Sequence, residues 1–411
     1  MNLTFNINNL KNNFFTFFYI MSIIVMLSGS IDNSLDLIFL IMAITTTIFS
    51  FLLILNRRKF SLIKIYFLFS ALFILSYTLL NNVIFSFTLF EQNEYDSTSL
   101  AGLKFFLKLF ILIGLFPIIN DEIKLKLINV LSILIVFLFL QVFITTFIVN
   151  IINIPKENVS FLYPLVGGVS ENEKYPLSFI NLLDNFEYYR PRFFFREPSG
   201  FGYAVVIIFF LRMLLGGENN KLILILAFSS IIVTISKASI IIFISYFFIR
   251  FLAYNFKKKR ITYLLLLAIF LICFYILLIN TLGGYIISRM AGALNFSDFI
   301  QNVGFFPHGV NSSLWKGFDG GLSNDFTFIA IFYEIGFILG ILYILLLIII
   351  FFKLFSLKNE KFQDIFPVYT SFIFFLLSGN NYMSGGGLIL LFLIIDECSK
   401  QSNFINNKIK H

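Results

Sequence analysis

Arg190, Arg192 and Arg196 crowd into one stretch, EYYRPRFFFREPSG at 187–200, which runs through Glu197 and Pro198 into an apolar segment. Lys237 sits in SKAS (236–239), again where an apolar segment begins. Cations placed at helix starts share one chemistry. The first helical turn offers unpaired N–H groups and the positive end of the macrodipole, so Arg or Lys charge added there makes a receptor for a multiply charged anion. Pro198 suits the first helical position, and Asn324 or Asp325 in LSNDF (322–326) suits an N-cap. Arg289, in ISRM, is a further candidate anion ligand. Candidates for a general base are few, because His308 and His411 are the only histidines. His308, in FFPHGVNSS, and Glu197 are the two.

Each of these residues also has a plainer reading. Arg196 and Glu197 can form an ion pair that caps a helix, and Arg190 and Arg192 can solvate a loop. Lys237 can reach toward an interface, as can Lys104 and Lys108 one turn apart. Glu334, in IFYEIGFILG, is either a functional acid or a buried hydrogen-bonding one. Ser384 before Gly385, Gly386 and Gly387 reads as small residues that let helices approach closely, not as a nucleophile.

Several chemistries are excluded by missing motifs. There is no G-x-x-x-x-G-K-[ST] loop for ATP, no H-E-x-x-H or C-x-x-C for zinc or thiol redox work, and no D-x-D to hold a nucleotide diphosphate through a metal. Cys273 and Cys398 are too few for a disulfide framework. No metal and no cofactor is called for.

The elements that must position the cations follow from composition. The chain has 411 residues, 59% hydrophobic, 19% aromatic and 13% charged. No single core of this size could hide so much Phe, Ile and Leu from water, so an all-α, polytopic membrane protein is expected. Apolar runs near the length of a bilayer-crossing helix, about 20 residues, fall at 13–29, 35–55, 62–89, 101–119, 125–152, 198–215, 221–235, 239–254, 261–281, 325–352, 363–377 and 383–396. That is about twelve spans. They are continuously apolar, as helices are, rather than alternating as barrel strands are.

The net charge of +8 belongs to this arrangement and not to nucleic-acid binding. Lys and Arg cluster in alternate connections: at 57–64, 124–126, 212–221, 250–260, 353–361 and 400–410. The connections 29–34, 90–100 and 378–382 carry none. With an even number of spans, this bias predicts both termini in the cytoplasm. Two long connections, 153–197 and 282–324, then lie outside as large loops on one membrane domain spanning 1–411. The spans starting near 198, 239 and 325 all present their N-termini to that outer face. The seventh, 221–235, is about 22 Å long against a hydrocarbon thickness of about 30 Å, which would set Lys237 below the surface.

FFREPSGFG (194–202), ISKAS (235–239) and HGVNSS (308–313), followed by D-x-T-F-x(5)-E-I-G-F-I-L-G at 325–340, resemble segments of the O-antigen polymerase and ligase family. The resemblance spans roughly 150–350. It implies the fold of a metal-independent membrane glycosyltransferase in the cell inner membrane. It implies polymerisation of undecaprenyl-diphosphate-linked oligosaccharide repeats into O-antigen or capsule. Membrane lipid and a chain-length regulator protein are the implied partners. In that reading Arg190, Arg192, Arg196, Lys237 and Arg289 bind the diphosphate, and Glu197 or His308 is the base. A ligase with a different acceptor, and a lipid-oligosaccharide flippase or transporter, stay open as alternatives.

Overall fold

A computed structural model of the chain describes residues 7–27, 36–55, 106–114, 121–147, 168–176, 187–193, 198–217, 220–234, 236–255, 334–357, 359–377 and 387–397, with isolated residues between 66 and 103, between 262 and 269, and at 307 and 331–332. These residues are helical apart from one hairpin. The longer helices among the described residues are α1 (Ile7–Leu27), α2 (Asp36–Leu55), α3 (Asp121–Thr146), α4 (Pro198–Leu214), α5 (Lys221–Val233), α6 (Lys237–Asn255), α7 (Phe337–Phe355) and α8 (Asn359–Leu377). The hairpin pairs β1 (Gly168–Pro176) with β2 (Glu187–Phe193). The chain divides into two compact units, residues 1–46 with 118–245, and 47–117 with 246–411, whose boundaries fall within α2 and α6.

In the first unit, α3 packs against α1, α4 and α5. Its buried residues Ile123, Leu127, Leu131, Ile135, Leu138, Val142 and Thr145 recur every three or four positions, the spacing of one helix face. α1 is pinned to the start of α3 by Asn12, which donates to Glu122, and by Lys126, which donates to Asn13 Oδ1 at 2.8 Å. α4 is the centre of the unit. From Phe201 to Leu215 its residues are buried except Tyr203, which is half-buried. Phe243 of α6 packs its ring 5.0 Å from Phe209 of α4 and stacks 5.7 Å from Phe228 of α5. Near the end of α4, Arg212 is only 5% exposed and its Nε donates to Ser132 Oγ on α3 at 2.8 Å. A cation in the last helical turn also meets the negative end of the dipole. Two glycines then stop the helix. Gly216, at φ 91°, donates to Met213 O, and Gly217 donates to Arg212 O at 2.9 Å, a Schellman close. Asn220 caps α5 by accepting from Leu222 N.

In the second unit, α7 packs on α8, with Phe351, Phe355, Phe362 and Phe366 in mutual ring contact. Tyr369 donates to Leu347 O across the same pair. Pro367 interrupts the ladder of α8. Arg250 donates to Tyr246 Oη at 2.8 Å and reaches Asp364 at 3.6 Å.

Both faces of the long helices are apolar. Ile133, Phe137, Leu140, Phe143 and Ile144 of α3 are exposed, as are Ile338, Leu345, Ile348, Ile349 and Phe352 of α7. A helix bathed in water carries polar residues there. Among the described residues, Asp121–Thr146 and Phe337–Phe355 are long and apolar enough to cross a membrane.

One expectation needs correction. The tenth expected span, 325–352, is not one continuous helix. The helical residues 331, 332, 334 and 335 give way at Gly336, whose φ of 84° only glycine adopts readily, and α7 starts afresh at Phe337. Phe332 folds back over the first turn of α7: a Cβ on Gly340 would stand 2.6 Å from its ring. The first large loop carries regular structure, the β1–β2 hairpin. The second loop, 282–324, lies outside the described residues apart from Pro307.

Candidate anion site at two helix N-termini

α4 begins at Pro198 and α6 at Lys237, as the cation pattern predicts. Proline lacks the N–H that the first turn would leave unpaired, and its φ is already helical. Ser236 precedes α6, and its carbonyl accepts the first helical bond from Ile240 N at 2.9 Å.

These two helix starts meet. A Cβ on Gly202, in the first turns of α4, would stand 2.7 Å from Ser239 Oγ, 2.8 Å from Ser236 Cβ and 3.0 Å from Ser236 Oγ. Such distances leave room for a hydrogen and nothing more. The Ser236 and Ser239 hydroxyls are buried and share a hydrogen bond of 2.8 Å. Two positive dipole ends therefore converge on a polar, dry contact.

β2 lies against α3 and α4 and carries Arg190 and Arg192, two positions apart in one strand. In its antiparallel register Val169 faces Pro191, Lys174 faces Tyr189 and Tyr175 faces Tyr188. Pro191 cannot donate to a ladder, and the pairing is irregular on both sides of Val169. Arg190, Arg192 and Lys237 thus belong to one compact unit with the meeting helix ends. Arg196, Glu197, Arg289, His308, Asn324, Asp325, Lys104 and Ser384 lie outside the described residues. Lys108 is half-buried. Glu334 is 1% exposed and sits two residues before the Gly336 break.

Reading the sequence for charge missed Gly202. Its partner residues lie in SKAS, but contact between segments 34 residues apart leaves no local signal. Among the described residues, no three His, Cys, Asp or Glu side chains come together to hold a metal ion. No family model matches the chain, and neither a characterised protein nor a solved structure does.

Proposed function

We propose that the chain is a multi-pass protein of the cytoplasmic membrane that polymerises lipid-diphosphate-linked oligosaccharide repeats at the outer face. The observation that carries the proposal is the meeting of the α4 and α6 N-termini at Gly202, Ser236 and Ser239, beside a strand that holds Arg190 and Arg192. A diphosphate is a good leaving group once its charge is held, and helix N-termini with Arg and Lys do that without a metal. The exposed apolar faces of α3 and α7 support a lipid surround.

In the proposed step, Glu197 or His308 takes the proton from an acceptor-sugar hydroxyl. The freed oxygen attacks the anomeric carbon of the growing glycan, and the bond to the lipid diphosphate breaks with both electrons going to the phosphate oxygen. Arg196 and Lys237 hold the charge that appears there, with Arg190, Arg192 and Arg289 supporting the bound diphosphate.

A second reading, a lipid-oligosaccharide flippase, draws on the helix break at Gly336 beside buried Glu334, since transporters bind at interrupted helices. Deleting the gene separates the two. A polymerase defect leaves single repeat units on the surface lipid in place of a ladder. Repeats trapped on the cytoplasmic side would indicate the flippase, and polymer that accumulates unattached on its carrier lipid would indicate a ligase.

A further inference from the structure

We infer that the helix interruption at Gly336 is a binding site for a monovalent metal cation of the sodium kind, with Glu334 as its charged ligand. The inference goes beyond glycosyl transfer, since none of the residues assigned to that step takes part. Glu334 is 1% exposed and stands in an apolar stretch, IFYEIGFILG. α7 has 19 residues and carries Lys353 in its last turn. It is about 28 Å long, so its start still lies within a hydrocarbon layer about 30 Å thick. A carboxylate buried at that depth is costly unless positive charge meets it, which marks such residues as ion sites.

The break supplies further ligands. In a continuous helix the carbonyls of Glu334 and Ile335 accept from the N–H groups of Ile338 and Leu339. Gly336, at φ 84° and ψ 159°, turns the chain out of that path, and α7 opens with the bond from Gly340 N to Gly336 O at 2.9 Å. Carbonyls released in this way are the oxygen donors that interrupted membrane helices offer to Na⁺. The two helix ends at the break carry opposite charges of at most about half a unit, so together they leave the full charge of the carboxylate to be met. Hydroxyl oxygens reach the same end of α7 from elsewhere in the unit: Tyr66 Oη donates to Leu339 O at 3.3 Å, with the Ser70 hydroxyl beside it. These are all hard oxygen groups, which suit an s-block cation and not a transition metal. One carboxylate matches one positive charge. Among the described residues, no three Asp, Glu, His or Cys side chains gather as a divalent ion would require.

The test measures binding of radioactive sodium to the purified full chain in detergent, with melting temperatures alongside. Binding is expected to saturate and to be displaced by excess NaCl but not by choline chloride at equal ionic strength. Glu334→Gln is expected to bind at least about tenfold more weakly. Asp364→Asn removes an exposed carboxylate from the same unit and is expected to bind as the unaltered protein does. Gly336→Ala favours the continuous helix and is expected to weaken binding although the carboxylate stays in place. NaCl should raise the melting temperature of the unaltered protein above its value in choline chloride, and should not do so for Glu334→Gln. If Glu334→Gln does not accumulate, the choline competition and Gly336→Ala carry the test. Absence of saturable binding would mean that a proton or a basic side chain meets the charge of Glu334, and would overturn the site. So would equal displacement by choline, parental affinity in Glu334→Gln, or equal weakening by Asp364→Asn. Parental affinity in Gly336→Ala would overturn the part played by the break.

Discussion

Replacing Ile133 with lysine asks directly what surrounds α3. Ile133 is 68% exposed and is the thirteenth of 26 residues in that helix. At 1.5 Å per residue the helix is about 39 Å long, so Ile133 lies about 18 Å from its first residue. If the exposed face meets water, Ile133→Lys is an ordinary surface substitution and shifts stability by about 0.5 kcal/mol or less. If it meets hydrocarbon about 30 Å thick, the lysine stands near the midplane, too deep for its stem to bring the ammonium to either edge. The cost is then about 2.5–3.5 kcal/mol, roughly two orders of magnitude in the folded population. Ile133→Leu controls for loss of shape. The assay is the amount of carbonate-resistant, membrane-bound protein, with thermal melting in lipid nanodiscs for whatever accumulates. We expect Ile133→Lys to be depleted and Ile133→Leu to match the parent. A lysine variant with parental abundance and melting temperature would refute the lipid surround and every topological argument built on it.

Other substitutions test narrower points. Arg196 can fork onto two phosphate oxygens, so Arg196→Lys should lose surface polymer nearly as fully as Arg196→Ala, while Lys237→Arg should keep it and Lys237→Ala should not, as read from glycan ladders in complemented cells. Glu197→Gln should abolish the ladder at normal protein level; a normal ladder would leave His308 as the base. Gly336→Ala forces an L residue to φ near 84°, at about 1–2 kcal/mol, and should lower the melting temperature, whereas an unchanged melt would mean that the break relaxes freely. Ser132→Ala removes the acceptor for the buried Arg212 Nε and should cost about 1.5–3 kcal/mol in chemical unfolding. Single cysteines at positions 175 and 315 should react with an impermeant maleimide on intact cells, and labelling only after lysis would contradict the external loops.

What could be read from the chain depended on how local the cause was. The starts of α4, α5 and α6 are written in neighbouring residues: Pro198 at a first turn, the Asn220 cap, and Ser236 ahead of Lys237. The end of α4 is equally local, since consecutive glycines supply both the positive φ and the space beside Arg212 O. The Gly336 break was hidden because an isolated glycine in an apolar run is usually tolerated within a helix. In the broken form Phe332 packs onto Gly340, a contact made through the fold-back and not written in any neighbouring residue. The hairpin escaped because Pro191 and the irregular register around Val169 spoil strict alternation. For the site, the charges could be found by type and spacing. The close approach of Gly202 to Ser236 and Ser239 is a property of packing, and no window of sequence contains it.

The enclosure of α4 has a consequence for biosynthesis. It is the innermost element of its unit, yet two of the helices grouped with it, α5 and α6, follow it in the chain. Until synthesis passes Ser245, the last residue of the unit, Phe209 lacks its Phe243 partner and Gly202 faces no serine. The interval from Leu214 to Ser245 is 245 − 214 = 31 residues, or roughly 2–6 s at ordinary translation rates. Arg212 is treated differently, because Ser132 has already been made when it emerges. The chain thus gives its buried cation a partner at once and leaves the contact of Gly202 with Ser236 and Ser239 to be made last, so a protein stalled before Ser236 holds α4 without the neighbours that enclose it.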